Sequence, residues 1–209
     1  MNRDGDLFAI PGELHGQMAV SRDWTLEDLD RYTCCQQPRQ CWKEFDSSCC
    51  PHVREGETCA FSASLHLVFM AGTWPVTRSS LVIADRESGE LREVVSWYRE
   101  SRETDWPSIG IGIGIVDLAT RGEGTGCEAR GLWIYQLLTT MPTIVRLDPG
   151  TWSGDHGTMR LGEKNGFVES ACFRQAMIAD GRSCDDLGDW MVGSGWRTWY
   201  PDGFAPLCS

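Results

Sequence analysis

Three glycines stand at alternate positions, Gly122, Gly124 and Gly126, directly before an apolar run of helical period. Backbone N–H groups in such a turn can converge on one anion, and the following helix adds the positive end of its dipole. No Lys-Ser or Lys-Thr follows these glycines, which excludes a P-loop, and the G-x-G-x-G spacing fits a dinucleotide fingerprint poorly. With Arg121 the stretch matches R-x-x-G-x-G, which can hold a pyrophosphate at a strand-to-helix junction. A glycine-rich turn that only precedes a helix is the alternative interpretation.

Cysteines are the second group of residues that could do chemistry, and six of the ten fall between residues 34 and 59. No C-x-x-C occurs, and the spacing of Cys41, the Cys49–His52 segment and Cys59 matches no standard zinc site. The N-terminal residues include early acids and no long apolar core, so we expect neither a secretory signal nor a disulfide framework. We therefore expect mostly small thiols and no metal. A metal or redox protein built on Cys34–Cys59 stays open as an alternative.

Charge and hydropathy restrict the possible partners. The 209 residues include 19 Lys and Arg against 30 Asp and Glu, a net charge of −11. This charge repels a phosphate backbone, so we expect no direct nucleic-acid binding. It attracts a cationic small molecule or a basic peptide, although it also serves simply to keep the surface solvated. No apolar run reaches the roughly 18–20 residues of a membrane helix. We therefore predict a cytoplasmic protein without a membrane contact.

Hydrophobic periodicity divides the chain into strands and helices that together form an α/β or α+β domain with a mixed sheet. Thr25 and Asp28 form a capping-box-like pair at the start of the first helix. Four helices are predicted. The first follows Thr25, the second covers Glu55–Met70, the third covers Cys127–Met141, and the fourth begins after an N-cap at Asp155 and ends at Gly166. The predicted strands are Gln17–Ser21, Ser80–Ala84, Leu91–Tyr98, Ile109–Ile115, Ile144–Leu147, Phe167–Ile178 and Leu187–Val192.

The strand before the glycine loop has an unusual composition. Four isoleucines alternate with three glycines, namely Ile109, Ile111, Ile113 and Ile115 with Gly110, Gly112 and Gly114. Period 2 puts every isoleucine on one face and leaves the other face bare. Because glycine weakens a strand, this pattern indicates that a ligand or another backbone approaches closely.

These segments together resemble the GNAT superfamily of acyl-CoA-dependent N-acetyltransferases, in particular its ribosomal-protein and antibiotic acetyltransferase branch. The likeness runs through IGIGIVDLATRGEGTGCEARGLW and RLDPGTWSGDHGTMRLGEKNGFVESACFR to an aspartate near Asp185–Leu187. The complete R-x-x-G-x-G match and the E-K-x-G-F segment, Glu163–Phe167, are its main basis. The likeness covers Ile109 to about Val192, and DWTLEDLDRY and WKEFDSSCCP match more loosely.

The resemblance implies a GNAT-type fold: a mixed, mostly antiparallel sheet that is splayed at a central bulge and flanked by about four helices. We expect a single domain over residues 1–209. Residues 1–15 and 194–209 are expected to be peripheral extensions of it.

The same resemblance implies where acetyl-CoA would bind. Backbone groups near Val116 and Leu118 would face its pantetheine arm, and the loop would hold its pyrophosphate with Arg121, Gly122, Glu123, Gly124, Thr125 and Gly126. Arg130 and Lys164 would meet the remaining phosphates. The family usually has an asparagine at the position of Asp155, where it touches the cofactor. Aspartate is an equally good N-cap but cannot donate as an amide does, so we favour the N-cap role.

The implied reaction is direct attack of a neutral amine on the acetyl thioester, whose carbonyl a backbone N–H polarises. Thr158 stands where some relatives have a serine that protonates the departing thiolate, although a first-turn threonine commonly bonds to its own helix end. Candidates for a general base are a water relay, Glu103, Asp105, Asp117 and Glu169.

The acceptor implied by the resemblance is a small-molecule amine, an antibiotic or a protein N-terminus, acetylated by a monomer or a homodimer. A non-catalytic acyl-CoA-binding module with the same fold is the alternative, because Asp155 departs from the family pattern and no base is identified.

Overall fold

The structure is a computed structural model that describes residues 13–37, 59–75, 78–99, 108–115, 122, 124–141, 144, 146–179, 181–202 and 204. These residues form five helices: α1 (Leu26–Cys35), α2 (Ala60–Ala71), α3 (Thr125–Thr140), α4 (His156–Lys164) and α5 (Gly193–Trp199). They also form nine strands: β1 (Glu13–His15), β2 (Ala19–Arg22), β3 (Ser80–Asp85), β4 (Leu91–Arg99), β5 (Ser108–Ile115), β6 (Arg146–Leu147), β7 (Gly150–Trp152), β8 (Val168–Ala179) and β9 (Arg182–Val192).

One sheet joins these strands in the order β1-β2-β3-β4-β5-β6-β9-β7, and β8 also pairs with β9. Only β5 and β6 are parallel neighbours among the described pairs; all the others are antiparallel. The predicted mixed, mostly antiparallel sheet is therefore confirmed.

Alternation along β3 separates two hydrophobic clusters. Leu81 and Ile83 are buried with residues of α3, while Val82 and Ala84 are buried with residues of α1 and α2. Successive strand residues point to opposite faces of a sheet, so α3 covers one face and α1 with α2 covers the other. The indole N–H of Trp133, which is fully buried, donates to the Ser96 carbonyl at 3.1 Å and fixes α3 to β4.

The first two helices begin with side-chain caps. Thr25 Oγ1 accepts the backbone N–H of Asp28 at 3.2 Å, and the Asp28 carboxylate accepts the N–H of Thr25 at 2.8 Å. This reciprocal pair confirms the predicted capping box. Helix α2 starts at Ala60, where the Cys59 sulfur is the N-cap and accepts the Ser62 N–H at 3.3 Å. The predicted helix began at Glu55, and residues 55–58 lie outside the described residues.

The C-terminal segment differs from the prediction of a peripheral extension from residue 194. Trp196 and Tyr200 are buried in the same cluster as α3, and Phe204 packs against them. A Cβ atom at Gly131 of α3 would lie only 2.0 Å from Phe204 Cζ, so the ring occupies the space that this glycine leaves. The run Gly193–Trp199 forms a fifth helix because burial of its aromatic residue outweighs the low helix propensity of its glycines.

At the other end, the predicted extension 1–15 contains β1, which pairs with β2. Residues 1–12 lie outside the described residues. The strand predicted at Leu187–Val192 starts earlier, at Arg182, because it pairs along most of β8 in one long hairpin.

Candidate active site

The parallel strands β5 and β6 separate after two residues. Ser108 pairs with Arg146 and Ile109 with Leu147, and the described pairing between these strands ends there. On the other side, β5 pairs with β4 without a register shift from Arg99–Ile109 to Glu93–Ile115. The splay is confirmed, and residues 116–120, which follow β5, lie outside the described residues. The splay arises because β6 is short and the chain after it pairs with β9 as β7.

A left-handed turn leads from this region into α3. Gly122 and Gly124 have φ angles of 87° and 90°, a conformation that glycine adopts without the steric cost of a Cβ atom. Gly124 is the N-cap, and the N–H of Cys127 donates to its carbonyl at 3.0 Å. The N–H groups of Thr125 and Gly126 precede this bond and cannot have an acceptor within the helix. The end of α3 therefore offers N–H donors and a positive dipole to an anion.

Gly126 must be small because of the space around it rather than because of its backbone conformation. A Cβ atom there would lie 3.2 Å from Glu93 Oε1, closer than most Cβ contacts in proteins. Glu93 comes from β4 and is only 3% exposed. The third glycine of the loop therefore makes room for a buried carboxyl group, whereas the first two permit the backbone conformation.

Burial raises the pKa of the Glu93 carboxyl from its ordinary value to about 7. Its Oε2 atom has no hydrogen-bond partner among the described residues. A buried carboxylate without a partner is costly in the charged form, which favours the protonated acid. The first turn of α3 thus packs against a carboxyl group that is about half protonated near pH 7 and largely neutral at lower pH.

A second buried carboxylate, Glu128, holds α3 to the first hairpin. It accepts the backbone N–H groups of Met18 at 2.9 Å and Ala19 at 3.0 Å, and that of Gln17 as well. Glu128 is fully buried. These three bonds join residues about 110 positions apart and fix the first turn of α3, which carries the candidate anion site.

Asp155 and Thr158 meet at the start of α4. The Asp155 side chain accepts the Thr158 backbone N–H at 3.0 Å, so Asp155 is the N-cap, as the sequence predicts. Both residues are half-buried. Lys164 is exposed at the opposite end of α4, about 14 Å away along the helix axis. Asp155 and Lys164 therefore lie too far apart to contact one small group together.

Arg130 is not on the surface. Its guanidinium lies over the Phe167 ring, 4.7 Å from the centroid, and the residue is 2% exposed. Burial lowers its pKa to about 10, against the opposing charges of Asp189 and Asp155, so it stays cationic at neutral pH. Its Nε and Nη1 atoms are buried without a hydrogen-bond partner among the described residues, and its contact with a cofactor phosphate stays a prediction.

Comparison of the whole fold with solved structures decides its class. Spermidine N-acetyltransferase from Vibrio cholerae, in complex with CoA and spermine, is similar with a TM-score of 0.65 and 15% identity, over 87% of this chain and 99% of that chain. The putative acetyltransferase YncA from Salmonella typhimurium, with acetyl-CoA, is similar with a TM-score of 0.63 and 15% identity, over 92% of this chain and 100% of that chain. RimJ from Mycobacterium smegmatis, in complex with CoA-disulfide, is similar with a TM-score of 0.61 and 13% identity, over 88% of this chain and 85% of that chain.

The chain has the GNAT acetyltransferase fold. The comparison covers nearly the whole length of these neighbours, and it confirms the resemblance that the motifs indicate. No protein-family model matches the sequence, and no curated protein is significantly similar to it. The likeness is therefore one of fold rather than of close sequence.

Several predicted site residues of this GNAT fold lie outside the described residues. They are Val116, Leu118, Arg121 and Glu123, together with the candidate bases Glu103, Asp105 and Asp117. The described Gly122, Gly124, Thr125 and Gly126 are brought together at the α3 terminus. Glu169 lies on β8 and is exposed.

Sequence reasoning missed Glu93 and Glu128, the two acids that the fold buries beside the loop. One signal for Glu93 was present: it shares the α3-facing side of β4 with Val95 and Trp97, where alternation predicts an apolar residue. A carboxyl group at such a position needs a partner or a raised pKa. No comparable local signal marked Glu128, because its partners lie at the other end of the chain.

The cysteine-rich segment is only partly described. Cys34, Cys35, Cys59, Cys172 and Cys184 form no disulfide. Cys127 differs from the expectation of thiols, since it is buried and disulfide-bonded. Within the described ranges no three His, Cys, Asp or Glu side chains converge as a metal site. None of the helices described is long and apolar enough to cross a membrane.

A cavity of about 470 Å³ lies between the C-terminal half of α3 and α5. Tyr135, Trp196, Arg197 and Tyr200 are among its lining residues. Tyr135 is about 14 Å along α3 from Gly126, so this cavity is separate from the anion site.

Proposed function

We propose that this protein is an acetyl-CoA-dependent N-acetyltransferase that moves an acetyl group onto a primary amine. The observation that supports this most directly is the junction of three features: the splayed edge of β5, the left-handed glycine turn and the donor end of α3. All three meet where one extended phosphate-bearing molecule could lie against backbone groups. A cytoplasmic location is part of the proposal.

The described residues fit such a molecule. The edge of β5 beyond Ile109 has no described partner on its β6 side, so its N–H and C=O groups are available to an extended arm. The α3 terminus offers donors to a pyrophosphate. We propose that Val116 and Leu118 face the arm, that Arg121–Gly126 hold the pyrophosphate, and that Asp155 and Lys164 line the remainder.

Acetyl-CoA supplies an activated acetyl thioester. In the proposed reaction the amine nitrogen forms a bond to the carbonyl carbon, and the carbon–sulfur bond breaks to release a thiolate. The resting ammonium first loses one proton to become the neutral nucleophile, and the nitrogen loses a second proton to water or a base after the attack. The thiolate takes up one proton, the group that supplies it regains one from solvent, and one proton is released overall. We propose the Thr158 hydroxyl as the proton donor to sulfur, because it lies one turn into α4, beside the N-cap Asp155.

The acceptor is proposed to be cationic in its resting form. The net charge of −11 attracts an ammonium group. One structural neighbour is named for spermidine, and another is a putative ribosomal-protein-serine acetyltransferase. A polyamine-like small molecule or a protein N-terminus is therefore the acceptor class to test first.

Two measurements test the function. Acetyl-CoA at about 100 times its Kd is expected to raise the melting temperature by about 5 °C or more, because it binds only the folded state. Incubation with acetyl-CoA and a panel of amines is then expected to yield products heavier by one acetyl group in mass spectrometry. Stabilisation without any transfer would favour the non-catalytic acyl-CoA-binding module. No stabilisation by acetyl-CoA or CoA would reject both.

Gly122→Ala is expected to weaken acetyl-CoA binding about tenfold, since a non-glycine residue pays roughly 1–2 kcal/mol in the left-handed region. Gly122 has φ 87° and open space around its Cα atom, so strain is the only cost. Calorimetric titration with acetyl-CoA measures the effect.

Gly181→Ala is the matched control, with φ 71° and equally open space in the β8–β9 turn. Gly181→Ala is expected to lose about 1 kcal/mol of stability and to bind acetyl-CoA as tightly as the wild type does. Equal loss of affinity in both would show that the Gly122 turn has no special part in binding.

A further inference from the structure

Glu93 stands directly behind the donor end of α3. Its Oε1 atom is 3.2 Å from the position of a Cβ atom on Gly126, the second residue of the helix. The residue is 3% exposed, and Oε2 has no hydrogen-bond partner among the described residues. An anion bound at the α3 terminus and an ionised Glu93 would therefore lie on either side of one helical turn, and the burial of Glu93 would limit the screening of its charge by solvent.

The charged groups described on the elements around Glu93 contact other residues. On α3, the Glu128 carboxylate is bound by three backbone N–H groups and the Arg130 guanidinium lies over Phe167. On β4 and β3, Arg92 pairs with Asp85 at 3.3 Å.

The register neighbours of Glu93 on β3 and β5 are Ile83 and Ile115, which are uncharged. In the described part of the chain, no ion pair compensates a charge on Glu93.

We propose that Glu93 takes up a proton when a phosphate-bearing cosubstrate binds at the N-terminus of α3. The inference rests on the proposed function and adds a proton to its binding step. Two anions compete for the same helix dipole, and their repulsion is strong at low local dielectric. Protonation of Glu93 removes that repulsion, and the proton comes from the solvent. Glu93 acts through the helix end and does not touch the ligand, so it is a positioning residue.

The sign of the pH dependence follows from this geometry. The free protein holds Glu93 with a pKa of about 7, and a nearby bound anion raises it further. Below that pKa the proton is already present and binding costs nothing extra. Above it, binding must bring a proton in, so affinity falls as pH rises. A shift of one pKa unit corresponds to a tenfold loss of affinity between about pH 6 and pH 8.5.

The probe for this test is 3′-dephospho-CoA, whose pyrophosphate diester keeps a constant charge over that range. Calorimetric titrations of the wild type are made at both pH values, and near pH 7 in two buffers that differ in their enthalpy of ionisation. Glu93→Gln keeps the shape of the protonated acid. Glu87→Gln, an exposed glutamate of the β3–β4 turn, is the matched control.

We expect the wild type and Glu87→Gln to bind about tenfold more weakly at the higher pH and to take up protons near pH 7. Glu93→Gln is expected to bind equally at both pH values without proton uptake. If wild-type binding does not change with pH, or if Glu93→Gln keeps the pH dependence, the proposed role of Glu93 is wrong. The proposed function is unaffected by either result. Absence of dephospho-CoA binding at every pH overturns the proposed function, and the role of Glu93 with it. If the Glu93→Gln variant does not fold, the number of protons that the wild type takes up on binding, measured in the two buffers, still tests the proposal. Binding without proton uptake near pH 7 overturns it.

Discussion

Glu128→Ala is expected to destabilise the protein by about 3–5 kcal/mol, because it leaves three buried backbone N–H groups without their acceptor. Those groups belong to Gln17, Met18 and Ala19 of the first hairpin. Urea unfolding near neutral pH measures the change as a lower midpoint. Glu163→Ala on the exposed side of α4 is the control, with an expected effect within about 0.5 kcal/mol.

A double-mutant cycle makes the assignment specific. A Cβ atom on Gly16 would lie 2.5 Å from Glu128 Cδ, so Gly16→Ala conflicts with the carboxyl group in its present position. In the Glu128→Ala background this conflict disappears, and we expect Gly16→Ala to cost much less than in the wild type. Additive effects of the two substitutions, or a loss below about 1 kcal/mol for Glu128→Ala, would show that the contact does not stabilise the fold.

Glu93→Gln is expected to become more stable than the wild type as pH rises. The folded protein holds the Glu93 proton up to about pH 7, whereas the unfolded chain releases it near the ordinary glutamate pKa of 4.5. Between these values the unfolded state binds fewer protons than the folded state, so the wild type loses stability with increasing pH. The loss from this group is complete above the folded pKa and amounts to about 3 kcal/mol. The amide does not ionise and avoids it.

Urea unfolding at several pH values from about 5 to 8 tests this difference. The free energies of unfolding of wild type and Glu93→Gln are expected to be similar at the acid end and to diverge through the window. Glu87→Gln is expected to follow the wild type throughout, because its exposed carboxylate is not desolvated by folding. A constant difference between wild type and Glu93→Gln at all pH values would contradict the buried-acid interpretation.

The two acids have opposite effects because of their partners. Glu128 receives three N–H donors, which repay the cost of burying its charge. Glu93 has burial but no compensating donor on Oε2 in the described structure, so it is driven toward the neutral acid. Glu128 belongs to the first turn of α3 and holds the helix to the first hairpin, whereas Glu93 packs against that turn from β4.

The sequence by itself determined the features that depend on residues within a few positions of each other. Thr25 with Asp28, and Asp155 with the Thr158 N–H, are local caps whose partners are three residues apart. The left-handed turn before α3 is likewise local, because glycine at Gly122 and Gly124 permits that backbone. The alternating Ile/Gly run predicted β5 in the same way.

Only the tertiary structure decided which groups meet across long separations. The sequence predicts that Gly126 faces a ligand. Only the fold shows that Glu93 of β4, more than 30 positions earlier in the chain, packs against this glycine. The sequence predicts Arg130 as a phosphate ligand, and only the fold shows that its guanidinium is buried over the Phe167 ring. The C-terminal glycine-rich run reads as an extension, but burial of Trp196 makes it a helix. Burial depends on which faces pack together, and one-dimensional periodicity indicates that a face is apolar without naming the face that covers it.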